Sequence, residues 1–75
     1  MFATEPIIAL AREKGAFTAE QSTELLVAVD AVAKEPSQEN KGKLLDKMKA
    51  LAGVVSVASA ATKLPELIAV VSSWF

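Results

Sequence analysis

The chain has 75 residues, 52% of them hydrophobic, and carries a formal net charge of −1 with neither cysteine nor histidine. This composition excludes a disulfide framework and a zinc site of the usual cysteine and histidine type. A chain this short forms one domain, and we predict a single helical-bundle domain over residues 1–75: a compact all-α bundle of four helices, or five if the third breaks near Gly53.

The first predicted helix covers residues 5–14. Thr4 is a suitable N-cap, and Pro6 lies in the first turn, where its missing N–H costs nothing. Gly15 can take a positive φ and end the helix. The helical spacing predicts that three residues face the core: Ile7, Leu10 and Ala11.

The second predicted helix covers residues 19–34. Thr18 and Gln21 match a capping box, in which each side chain accepts a hydrogen bond from the other residue's amide. Pro36 ends this helix at or before Glu35. The predicted buried face consists of Ser22, Leu25, Leu26, Val29, Val32 and Ala33.

The third predicted helix is long and covers residues 38–62, with Ser37 as its N-cap. Gly53 lies inside it and costs roughly 1 kcal/mol relative to alanine, so a bend at this point is an alternative. Its apolar residues recur every three or four positions and predict one buried stripe: Leu44, Leu45, Met48, Leu51, Ala52, Val55, Ala58, Ser59 and Thr62.

The fourth predicted helix covers residues 65–74, because Pro65 is expected at a helix start, with Glu66 beside it. Leu67, Ile68 and Val71 should face inward. The helix carries no charge after Glu66, so its end is either buried in the bundle or forms a contact surface.

The charges are divided unevenly along the chain. Residues 1–40 sum to −4 and residues 41–75 to +3. We interpret these halves as two solvated faces that attract each other in the folded chain. A nucleic-acid-binding domain would be net basic, with arginine or aromatic groups among its lysines, so we expect no nucleic-acid partner.

The sequence predicts neither a signal peptide nor a simple transmembrane helix. Glu5 and Pro6 precede the first apolar residues, where a signal peptide has its basic region. The most apolar window, residues 51–73, is interrupted by Lys63, Pro65 and Glu66, which a spanning helix does not hold cheaply. We expect a cytoplasmic protein.

The usual catalytic groups are missing, so we expect no enzyme, no catalytic residue, no cofactor and no metal. Glu20 and Glu24 share a helix face, but such pairs are common on solvated helices. Ser59 and Lys63 have the spacing of a serine–lysine dyad, which two surface residues often have by chance.

The uncharged C-terminal third therefore predicts a protein-interaction surface. Its partner is expected to be a second copy, giving a homo-oligomer, or another protein. The predicted contact residues are Val54, Val57, Val70, Val71, Trp74 and Phe75.

The second half of the chain resembles the helical tail modules of bacterial abortive-infection and related anti-phage conflict proteins. The resemblance runs from Glu35-Pro36-Ser37 through KGKLLDKMKALAGVVSVASAATKLPELIAVVSSWF. It implies an association or adaptor domain that tethers an effector to a partner, and it transfers no functional residue. The positions that carry it are Pro36, Leu44, Leu45, Leu51, Ala52, Leu64, Leu67 and Ile68.

Two alternatives remain open. The chain is also similar to circular and leaderless bacteriocins in its size, its lack of cysteine and its alanine- and valine-rich helices, which implies a membrane-active peptide that inserts residues 53–75. Those peptides are normally cationic, whereas this chain is slightly acidic. A small phage-encoded inhibitor that uses the acidic face of residues 5–39 is the other alternative.

Overall fold

Four α-helices make up the fold, and no strand occurs in the part of the chain that the structure describes. The structure is a computed structural model that describes residues 3–74. The helices are α1 (Glu5–Arg12), α2 (Ala19–Lys34), α3 (Gln38–Ala52) and α4 (Ala58–Ser72). The predicted all-α fold of four helices is confirmed.

The helices enclose one core. Each helix contacts the next along the chain, and α4 closes the ring against α1. Each of the four helices therefore directs an apolar stripe of its own toward the core. The largest side chains that are completely buried at the centre are Ile7, Leu25, Val29, Val32, Leu44, Met48, Leu64 and Val71.

The connection between α1 and α2 follows the local sequence signals. Gly15 has a φ of +83°, the left-handed conformation expected of a glycine at a helix end. The Gln21 amide donates to Thr18 Oγ1 at 3.1 Å, and the Thr18 amide donates to Gln21 Oε1 at 3.0 Å. The predicted capping box is thus confirmed. The α1 helix ends at Arg12, two residues before the predicted Lys14, because Glu13 is already extended.

The buried face of α2 is narrower than predicted. Leu25, Val29 and Val32 are buried, whereas Ser22 and Leu26 are half-buried. Ala33 is exposed, so its assignment to the core is wrong. The reason is that α2 packs between α1 and α3, and Ala33 lies at the rim of the shallow depression beside α1.

The prediction of one helix over residues 38–62 is wrong. Helix α3 ends at Ala52 with Gly53 as its C-cap, and the amides of Val54 and Val55 both donate to the Leu51 carbonyl at 3.0 Å. A straight helix over that range would be about 37 Å long, whereas the longest dimension of the molecule is 30 Å. The break over residues 53–57 lets α4 pack back against α3.

The prediction that the last helix starts at Pro65 and covers 65–74 is also wrong, since Pro65 lies inside α4. Pro65 and Ala61 are both exposed residues. The Ala61 carbonyl has no amide partner at position 65, because proline lacks a backbone N–H. The helix continues because it buries one unbroken stripe, spaced by three and four: Ala60, Leu64, Leu67 and Val71.

Candidate functional site

The predicted C-terminal contact residues have very different environments. Val54, in the link between α3 and α4, is 60% exposed, and Val70 is 40% exposed. Val57 and Trp74 are half-buried and pack against the core. Phe75 lies outside the described residues.

The assignment of Val71 to a contact surface is wrong. Its side chain is completely buried, because it is the last member of the inward stripe of α4. A partner can touch Val71 only if the bundle opens. The neighbouring Val70 points elsewhere, since adjacent residues of a helix are rotated by about 100°.

The remaining predicted residues do not form one patch. Val57 is the N-cap of α4, and Val70 lies thirteen residues further along the same helix. At 1.5 Å per residue, these two side chains are about 20 Å apart along the axis. The predicted contact residues thus do not form a single patch that includes both Val57 and Val70.

An apolar groove lies instead between α2 and α3. Its volume is about 640 Å³. Val27, on its α2 wall, is 64% exposed and is the most exposed large hydrophobic residue among the described residues. The residues that line the groove are Thr23, Glu24, Val27, Ala28, Ala31, Asn40, Lys43, Asp46, Lys47 and Ala50.

The groove exists because two antiparallel helices meet through small side chains. Residues 35–37 connect α2 to α3 directly. Three alanines line the space between the helices and leave it unfilled: Ala28, Ala31 and Ala50. The result is a shallow channel with Val27 standing on one wall.

Asn40 holds one end of the groove. Its side-chain amide donates to the Glu35 carbonyl at 2.8 Å and to the Ala31 carbonyl at 3.3 Å, at the C-terminus of α2. Its backbone amide donates to Ser37 Oγ at 3.1 Å, which confirms the predicted cap of α3. Asn40 therefore donates hydrogen bonds to carbonyls at the C-terminus of α2, and its own amide is capped at the N-terminus of α3.

An ion pair crosses the groove further along. Lys47 Nζ lies 3.1 Å from Glu24 Oε2, with 34% of the lysine side chain and 49% of the carboxylate side chain exposed. On the α3 side, Lys43 pairs with Glu39 at 3.4 Å. These pairs place charge at the rim, while the alanines form the floor.

The two walls carry opposite net charge. Helix α2 has a net charge of −2, from Glu20, Glu24, Asp30 and Lys34. Helix α3 has a net charge of +2, from Glu39, Lys41, Lys43, Asp46, Lys47 and Lys49. Of these charged residues, Glu24 of α2 and Lys43, Asp46 and Lys47 of α3 line the groove, so the α2 wall carries a charge of −1 and the α3 wall a net charge of +1.

Two smaller depressions lie elsewhere on the surface of the described residues. One lies between α1 and α2, with a volume of about 270 Å³, and one lies between α1 and α4, with about 310 Å³. Neither is lined by an exposed large hydrophobic residue. The α2–α3 groove is therefore the candidate interaction surface.

The residue pairs considered for catalysis have other partners. Ser59 Oγ donates to Glu13 Oε1 at 2.6 Å, which ties the start of α4 to the end of α1. Glu24 is paired with Lys47 across the groove. Within residues 3–74, acidic side chains do not gather in groups of three or more that would hold a metal ion.

Sequence reasoning missed Val27, although a signal was present. Val27 is apolar but lies off the inward stripe formed by Leu25, Val29 and Val32, between wet positions of the same helix. A large apolar residue on the polar side of an amphipathic helix indicates a contact outside the monomer.

No helix in the described part of the chain combines the length and the apolar character needed to cross a membrane. Comparison with protein-family models, with curated proteins and with solved structures finds no match for this chain.

Proposed function

We propose that this protein is a non-enzymatic interaction module that self-associates through its α2–α3 groove. The observation that carries the proposal is Val27, which stands 64% exposed on the wall of a groove with an alanine floor. Small floor residues allow another helix to approach closely. Helix-in-groove contacts of this kind are a common mode of protein recognition.

A second copy of the chain is the partner that fits the charges. The groove has an acidic wall on α2 and a basic wall on α3, so the same surface offers both members of each attractive pair. A two-fold symmetric interface requires such self-complementarity. A foreign helix would need its own acidic and basic edges in matching order.

Burial of Val27 supplies the apolar centre of this interface. Complete burial of a fully exposed valine side chain contributes about 1.5–3 kcal/mol. Val27 is 64% exposed, so about two thirds of that amount remains for the interface, and symmetry uses the residue twice. An association or adaptor role, in which the module tethers an effector to a partner, is what the resemblance of the second half of the chain to the bacterial conflict-protein tail modules implies. In this proposal the protein tethers an effector by dimerising.

The test is the mass in solution over a range of concentrations, measured by size-exclusion chromatography with light scattering. The wild type should be a dimer, and Val27→Asp should be a monomer because it places a carboxylate in the apolar centre. Aspartate and valine have similar helix propensities, so helicity should be unchanged.

Val70→Asp is the matched control, since it makes the same change at the exposed valine of α4. It should leave the dimer intact. A wild type that remains a monomer at high concentration would refute self-association. A dimer that Val70→Asp disrupts, and Val27→Asp does not, would move the interface to the C-terminal surface.

A further inference from the structure

We infer that two copies pair about a two-fold axis parallel to the groove, so that α2 of each protomer lies over α3 of the other. Glu24 and Lys47 of both copies then form one closed set of four alternating charges. This inference rests on the proposed self-association and adds the geometry that selects the partner.

The ion pair between Lys47 and Glu24 crosses the groove. Lys47 and Glu24 lie at the same level along the groove, because Nζ and Oε2 are 3.1 Å apart. Rotation about an axis parallel to the groove leaves every position along that axis unchanged. The second copy's Glu24 therefore arrives level with Lys47 and above it, and its Lys47 arrives above Glu24.

Both members of the pair have capacity for a second partner. Half of the Glu24 side chain and a third of the Lys47 side chain remain exposed beside the apolar floor. A carboxylate has two oxygens and an ammonium group has three donors, so each can serve two neighbours at once. Val27 would meanwhile lie against the aliphatic stems of the second copy's α3 lysines.

The other simple two-fold arrangement is disfavoured by charge. An axis across the groove stacks α2 on α2 and α3 on α3. That arrangement brings two helices of net charge −2 together and two of net charge +2 together. Like charges across an interface suppress pairing, so the parallel axis is selected.

The experiment uses two single variants of the full chain, Glu24→Lys and Lys47→Glu. Alone, each would surround the interface with four charges of one sign, and its dimer should weaken about tenfold or more. Mixed in equal amounts, they should form a one-to-one heterodimer, because every contact across the interface between positions 24 and 47 again joins opposite charges. Native mass spectrometry, with one variant isotope-labelled, measures the proportions of the two homodimers and the heterodimer.

The matched control is the pair Asp30→Lys and Lys49→Glu. Both residues are exposed, lie on the same two helices and fall outside the groove lining. At physiological salt, exposed charges are screened beyond about 8 Å, so each control variant should dimerise like the wild type and mix at random. Circular dichroism should show unchanged helicity for all four variants.

A Val27-dependent dimer whose Glu24→Lys and Lys47→Glu variants pair at random, or not at all, would overturn this geometry and leave self-association standing. A monomeric wild type would overturn both. Dimers of each single variant that are weaker than the wild type, together with selective pairing of the two variants and random mixing of the control pair, would establish it, because with the axis across the groove the wild type would already face like charges and the single variants would not be weaker.

Discussion

Pro65→Ala should make the protein more stable, because Pro65 occupies the interior of α4. The substitution supplies a new amide at position 65, one turn after Ala61, whose carbonyl lacks that partner because proline has no N–H. Proline costs about 3 kcal/mol relative to alanine in a helix interior. Since the native helix already accommodates the ring, we expect a gain of about 1–3 kcal/mol.

For a domain of 60–100 residues, 1 kcal/mol corresponds to about 4–8 °C in Tm. We therefore expect a rise of at least about 4 °C, measured by circular dichroism during heating. Glu66→Ala is the control, since it alters the exposed neighbouring residue without adding an amide. Both measurements belong in the Val27→Asp background, so that association does not contribute.

An unchanged or lower Tm for Pro65→Ala would refute the reasoning. It would mean that the chain starts a helix at Pro65, where proline is favourable and its missing amide has no partner to lose. The experiment thus separates the continuous α4 of the structure from the break that the sequence pattern predicts.

Two further substitutions test the ends of α2. Asn40→Ala removes the side-chain donors to the Ala31 and Glu35 carbonyls and should lower the free energy of unfolding, measured by urea denaturation, by about 1–3 kcal/mol. An effect no larger than that of Gln38→Ala, which alters the exposed first residue of the same helix, would contradict this role of Asn40. Thr18→Ala removes the N-cap acceptor and should lower the free energy of unfolding by about 1 kcal/mol in the same assay. An unchanged free energy of unfolding would show that the capping box contributes nothing to stability.

The ends of α2 could be predicted because neighbouring residues determine them. Thr18 and Gln21 satisfy each other's amides within one turn, and Pro36 stops the helix whatever surrounds it. The break after Ala52 is different. Gly53 lowers helix propensity, but the chain reverses there because α4 must cover the core that α3 presents.

The interior position of Pro65 also depends on tertiary packing, which local sequence rules do not take into account. Local rules place a proline at a helix start, whereas the buried stripe that includes Leu64 and Leu67 continues through it. Tertiary burial outweighs the local preference here. The sequence also directed attention to the apolar C-terminal third, where Val71 proved to be core, while the exposed Val27 drew no notice.

The hydrogen bonds of Asn40 at the connection between α2 and α3 affect how strongly a partner can bind in the groove. Because these three hydrogen bonds fix the turn between α2 and α3, the groove is pre-organised before a partner arrives. Its alanine floor has no rotamers to lose, and Lys47 is already held by Glu24. In the proposed dimer, little conformational entropy of the groove is therefore lost when this surface is covered, so more of the burial free energy remains to offset the translational and rotational cost of association.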